Sequence, residues 1–220
     1  MKKAIRPLHW IVGLLLTSAM LAAAVTFTLH FRPLYVHDVH AYDLPAYTGL
    51  SEETILEQYD VLIDYNSIGG AETLAFPDLP SSEVGLIHFE ETKVIFLAFQ
   101  WWAVIGTVLT VIGILLLRRQ QPHRFLKYAG LVSLIFPVVV GVGVALMWDK
   151  VFVLFHEIMF RNDYWLFNAQ TDPIVLLLPD GYFMHCAVLI IALFILGGII
   201  CLVLYALLCR RAKRRVPAAV

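Results

Sequence analysis

Charge is what this sequence has least of: of its 220 residues only 15% are charged, against 60% hydrophobic. A soluble domain of that length cannot bury so much apolar surface, so the composition excludes an ordinary globular protein in water. Cysteine is scarce as well. The three present, Cys186, Cys201 and Cys209, fall in or beside the last apolar run and form no CxxC pair, which argues against a thiol–disulfide relay or a structural zinc site. There is no GxSxG elbow, phosphate-binding loop or dinucleotide fingerprint, so nothing marks a serine nucleophile or a nucleotide site. No apolar run has a histidine near its centre, which leaves a haem between two histidines without a place. The runs also lack the buried charges that substrate and ion paths need, which weighs against a small transporter. Internal repeats and low-complexity segments are absent too.

The charges that do exist are sorted along the chain. Of 16 Lys and Arg, 12 lie in three short blocks, Lys2 to Arg6, Arg118 to Lys127 and Arg210 to Arg215. All 17 Asp and Glu lie between Asp38 and Asp180, outside those blocks. Each basic block abuts an apolar run, so the pattern is that of cytoplasmic cations flanking membrane spans, and no nucleic-acid partner is expected. Four runs approach or exceed the roughly 20 residues needed to cross the hydrocarbon: 11–29, 94–117, 131–147 and 187–208. The first run, with Lys2 and Lys3 before it and Ala22-Ala23-Ala24 inside it, also has the features of a signal peptide. Its continuation through Val25, Phe27 and Leu29 favours an anchor. The expected architecture is a single all-α integral membrane domain over 1–220, a four-helix transmembrane bundle with both termini cytoplasmic. Two extracellular segments, 32–93 and 148–183, are expected to form a helical cap.

The first of these segments carries helix signals. Ser51 is a good N-cap, Glu52 and Glu53 suit the first turn, and Leu50 and Ile55 occupy the staple positions around the cap. Ile55, Tyr59, Leu62 and Ile63 then form one apolar stripe, for a helix on the bilayer surface or against the other segment. A loop with Gly69, Gly70, Pro77 and Pro80 follows, before Ser81 or Ser82 caps a helix continuous with the second span. His88 then lies six residues before Val94, about 9 Å beyond the apolar start. In the second segment, Asp172-Pro173 reads as an N-cap with proline at the first helical position. Ile174 to Leu178 is too short to span and is expected to dip into the outer leaflet and return.

Histidine is the side chain best suited to proton transfer near neutral pH, and His30, His37, His40, His88, His156 and His185 all fall at or near the outer side. Two are set apart by context. Glu91 shares a helix face with His88 and is placed to hold its imidazole. His156 interrupts an apolar run and needs a partner or a task, while Glu157 and Arg161 are expected to pair with each other. If both segments fold over one bundle, His88 and His156 can meet in one cleft. His37, Asp38, His40 and Asp43 raise a metal reading, but their spacing matches no helical zinc motif, and neither metal nor other cofactor is expected.

With these residues in view the chain resembles the lipoprotein intramolecular transacylase family of Gram-positive membrane proteins. The resemblance rests on Phe155-His156, Phe160, Asn162, Trp165, Phe167, Asp172, Pro179 and Phe183, and on His88-Phe89-Glu90-Glu91-Thr92-Lys93 at the opening of the second span. Gly49-Leu50-Ser51 with Tyr59, Leu62, Ile63 and Tyr65 adds a third match. The chain departs from the pattern at Glu91, where aspartate is expected, and at Thr92, where valine is. The resemblance implies an acyltransferase at the outer face of the cytoplasmic membrane. Its substrate would be a lipoprotein bearing a diacylglyceryl cysteine, drawn from the surrounding membrane lipid. The sn-2 acyl chain would pass to the cysteine's own α-amine, yielding the lyso form. It further implies proton transfer by His88 and His156, with Glu91 orienting His88. Asn162, Trp165 or N–H groups near Asp172 would serve the oxyanion or position the substrate. The competing reading is a non-enzymatic accessory or sensor protein that binds a partner through its aromatic outer face.

Overall fold

The computed structural model describes residues 5–118 and 123–214, so Lys2, Lys3, Arg119 and Arg215 of the basic blocks lie outside the described residues. Among the described residues every regular element is helical. Four helices are long and apolar enough to cross a membrane: α1 (Ile5–Leu29), α5 (Glu83–Leu117), α6 (Arg124–Leu146) and α8 (Asp180–Arg214). They contain the four expected runs except Met147, the last residue of the third, which lies between α6 and α7. The shorter elements are α2 (Arg32–Ala41), α3 (Leu44–Thr48), α4 (Glu52–Tyr65), α7 (Trp148–Met159) and a 3-10 turn, Pro173–Leu177. The residues group into two compact units.

The span unit comprises 5–24, 101–118, 123–142 and 190–214. Its core is Val12, Leu117, Phe125, Leu126, Ala129 and Cys201. Lipid tails are as apolar as leucine, so close contact rather than water release must hold such helices together, and small residues stand where they cross. A Cβ on Gly130 of α6 would come within 2.9 Å of the Gly198 carbonyl oxygen of α8. The outward surface is apolar, with Leu116 and Ile135 each 66% exposed, as hydrocarbon requires. Buried hydroxyls turn to their own helix: Thr17 Oγ1 donates to Gly13 O at 2.9 Å and Thr110 Oγ1 to Gly106 O at 2.7 Å.

The histidine unit comprises 25–100 and 143–189. Its core is aromatic. Tyr35 of α2 stacks on Tyr59 of α4 with centroids 3.8 Å apart, and Tyr182 meets both rings edge-on. The phenols are satisfied inside: Tyr35 donates to Leu177 O at 2.9 Å, and Tyr59 and Tyr182 share a hydrogen bond at 3.1 Å. The α4 signals act as expected, with Ser51 Oγ accepting from the Thr54 N–H at 3.1 Å. Ser82 Oγ likewise accepts from the Gly85 N–H and caps α5. Farther along α5, Lys93 Nζ donates to Ala71 O at 2.6 Å and lies 4.0 Å from the Tyr65 ring centroid.

Three expectations are corrected here. The Pro173–Leu177 turn does not offer its apolar side chains to lipid: Ile174 and Leu177 are 1% exposed, packed in the aromatic core against α3 and α4. An apolar turn with a protein core to fill has no reason to seek lipid. Asp172 does not cap that turn with its side chain. Its carboxylate accepts from the Ser82 N–H at 2.8 Å and the Thr171 hydroxyl at 2.6 Å, so it serves the N-terminus of α5 instead. Finally, Glu157 and Arg161 are not among the ion pairs of the described residues. Helix α7 ends at Met159 and Phe160 is extended, so the i, i+4 geometry is lost.

Candidate active site

His88 lies in the second turn of α5, just beyond the Ser82 cap, and His156 in the last turn of α7. The two rings lie with centroids 6.0 Å apart, at 5% and 9% exposure. Aromatic side chains surround them. Phe160 and Phe167 meet His88 edge-on at 4.6 and 5.4 Å, while Phe152 lies 4.3 Å from His156 and Trp165 stacks on it at 4.6 Å. Helix α7 contributes its one buried residue, His156, to this cluster.

The polar atoms in this shell are unequally committed. His156 Nδ1 lies 2.7 Å from Phe152 O. A carbonyl can only accept, so Nδ1 carries the proton and Nε2 keeps its lone pair, the tautomer a general base requires. Burial lowers the His156 pKa below its ordinary 6.5, and the bond to Phe152 partly opposes the shift. His88 Nδ1 and the Trp165 indole N–H are buried with no hydrogen-bond partner. Unsatisfied groups of this kind are rare in folded proteins and call for an explanation. Two of them beside a neutral imidazole form a small polar patch in an aromatic wall.

The remaining expected residues are placed differently. Glu91 does not hold His88: its carboxylate accepts from Asn162 Nδ2 at 2.9 and 3.2 Å. Asn162 Oδ1 in turn accepts from the Tyr164 N–H, so this amide braces the segment after α7 and has no free donor aimed at the histidines. Asp172 is 2% exposed and sits behind the first turn of α5. Gly85 makes that possible, because a Cβ there would collide with the Asp172 carboxylate and lie 3.1 Å from the Phe167 ring. The other expected histidines go elsewhere. His30 bonds Thr26 and Ser67, His40 pairs with Glu52, and His185 Nδ1 donates to the fully buried Asp38 at 2.9 and 3.0 Å. Asp38 and His40 are thereby drawn to separate partners, and among the described residues no three His, Cys, Asp or Glu form a metal cluster. A groove of about 890 Å³ along α4, edged by Glu52, Glu53, Glu57 and Asp64 and by an Arg32–Asp60 pair, borders neither His88 nor His156.

Sequence reasoning overlooked Phe152, whose carbonyl selects the His156 tautomer. The signal was available as the i−4 position of a helical histidine. Gly85 was overlooked because nothing local distinguishes it from any other helical glycine.

The model of the lipoprotein intramolecular transacylase family, Lit, matches residues 10–183. The chain belongs to that family. The solved structure of the membrane-integral lipoprotein intramolecular transacylase Lit from Bacillus cereus is 30% identical and superposes with a TM-score of 0.93, over 97% of this chain and 100% of that one. Two structures of the same Bacillus cereus protein, with one histidine replaced by arginine or by alanine, match at 30% identity and a TM-score of 0.87. They cover 98% and 97% of this chain and 96% and 97% of theirs. No curated protein matches at the sequence level. The chain is thus a membrane-integral, multi-pass transacylase.

Proposed function

We propose that this transacylase moves the sn-2 acyl chain of a diacylglyceryl-cysteine lipoprotein to the α-amine of the same cysteine, giving the lyso form. The observation that carries the reading is the pair of buried imidazoles 6.0 Å apart, one with its Nε2 lone pair free, beside an unpartnered indole N–H. Donor and acceptor sit on one substrate molecule, so the protein has only to hold them in a near-attack geometry, and no acyl-enzyme is required.

The amine nitrogen attacks the ester carbonyl carbon, a C–N bond forms, and the bond between that acyl carbon and the sn-2 oxygen breaks, leaving an amide and a free hydroxyl on glycerol C2. One proton moves in all, from nitrogen to the departing oxygen. His156 Nε2 accepts it and returns it to that oxygen directly or through His88, so both rings begin and end neutral. The Trp165 N–H is the donor available to the tetrahedral oxyanion. Glu91 with Asn162, and Asp172 with Ser82, hold the elements that carry the two histidines. The reaction faces the outer leaflet and both termini face the cytoplasm, a placement supported by the sorting of 12 cations into the blocks flanking the spans and all 17 carboxylates elsewhere.

The test is mass spectrometry of lipoprotein N-termini in cells expressing the wild type, His88→Ala or His156→Ala. Wild type yields the lyso form and each variant loses it by roughly a hundredfold or more, the scale of a lost acid–base group. Full lyso-form production by either variant, at matched membrane levels, rejects the assignment.

A further inference from the structure

The cations of the span unit have no counter-charge within it. Every Asp and Glu of the chain falls in 25–100 or 143–189, so the described residues of the span unit hold eight Lys and Arg and no carboxylate side chain. The three ion pairs among the described residues all belong to the histidine unit. Two cations in the span unit are gathered at a cavity. Arg124 opens α6 and Lys127, three residues on, shares its face. Both border a space of about 350 Å³ whose other walls are Trp10 of α1, Tyr128 of α6 and Tyr205 of α8. Trp10 and Tyr128 stack with centroids 4.0 Å apart and planes 14° apart, making a flat, stiff wall. The first turn of α6 adds its own positive end.

The position of this cavity is as informative as its charge. It lies where the apolar run of α1 begins, ahead of that of α6, and near the end of that of α8. Tryptophan and tyrosine gather at that depth in a bilayer, and lysine and arginine extend toward the headgroups. The oxygens of a phosphate are the anionic groups present there in quantity, and basic pockets between spans take anionic headgroups. We infer that this cavity is a binding site for the phosphodiester headgroup of an anionic phospholipid, with Arg124 and Lys127 on the phosphate oxygens and the three rings around the glycerol. A phosphate anion is the shared chemistry of two sources, the lipid and free inorganic phosphate. The lipid is the source that fits, because the site opens at headgroup depth and its aromatic walls suit a glycerol ester. It is independent of the chemistry proposed for His88 and His156.

The experiment titrates phosphatidylglycerol into the purified full-length protein in zwitterionic nanodiscs and counts retained lipids by native mass spectrometry. Phosphatidylcholine and inorganic phosphate serve as competitors. The expected result is retention of phosphatidylglycerol that neither competitor displaces. Affinity falls roughly thirtyfold in R124Q/K127Q, about fivefold for each cation removed, and is largely kept in R124K/K127R. The single variants R124Q and K127Q give the same reading at about fivefold each if the double variant fails to fold. Wild-type affinity in the glutamine variants overturns the site. Displacement by inorganic phosphate makes it a free-anion site, and equal retention of phosphatidylcholine removes the charge selectivity; either overturns the lipid assignment.

Discussion

In the span unit Thr107 and Thr110 each donate to the carbonyl four residues back in their own helix, and Thr17 does so at 2.9 Å with a weaker 3.5 Å contact to Ala129 O of α6. In the histidine unit Asn162 reaches Glu91 across 71 positions, Asp172 reaches Ser82 across 90, and His185 reaches Asp38 across 147. The charges divide the same way: the described residues of the span unit carry eight cations and no carboxylate, the histidine unit 17 carboxylates against 4 cations. A helix among lipid tails must settle its polar groups locally, since the solvent offers nothing. The other unit is free to build from contacts distant in sequence. The lesson is that the bundle is specified by pattern and the site by cross-chain polar bonds, so substitutions in the two units should differ in size and kind.

The sharpest test of that division is Trp165→Phe, which removes a buried donor without a partner and little ring area. The rate of lyso-lipoprotein formation should fall roughly a hundredfold to a thousandfold, the effect of losing one oxyanion donor, with the melting temperature nearly unchanged. A variant that melts early yet keeps its specific activity would make Trp165 a packing residue. Next is His185→Ala, which leaves Asp38, fully buried, without its only side-chain donor among the described residues. About 3 kcal/mol of stability should be lost, read as reduced resistance to denaturant in detergent. Gly85→Ala should cost about 2 kcal/mol by overpacking against Asp172 and Phe167, and lower activity because His88 lies one turn farther along α5.

Acidity provides a gentler probe. Since burial lowers the His156 pKa from 6.5, the neutral, base-competent ring persists to lower pH than in a free imidazole. Protonation of the substrate's own α-amine sets a first acid limb at about 8, and the base should add no second one until pH falls below 6.5, measured as initial rate against pH in isolated membranes. A second limb at or above 6.5 would point to a different base. The smallest effect expected is Thr107→Ala, below about 0.5 kcal/mol, because only an exposed hydroxyl–carbonyl bond within its own helix is lost. A large loss there would erase the contrast between the units.

The same contrast explains what was legible beforehand. The four spans follow from runs such as Val94 to Leu117, and α4 from Ser51 and its stripe, because those signals are local. His88 and His156 stood out by setting, one beside an acid on a helix face and one inside an apolar run. The partners of Glu91 and Asp172 were not legible, since Asn162 and Ser82 are reached only after folding. Gln58 shows the limit best: a polar residue on the buried face of α4, it is fully buried, and its amide bonds Asp78 in the following loop.

The tether on Lys93 has a consequence of its own. A lysine near the end of a span ordinarily swings to follow the headgroups as the bilayer thickens or thins. This one is held by the Ala71 carbonyl and the Tyr65 ring, so α5 keeps one height against the loop beside it. His88 lies five residues, or about 7.5 Å, along the same helix. The protein carries its own ruler, with the zero mark at Lys93, and the imidazole keeps its place on that scale whatever the surrounding lipid does.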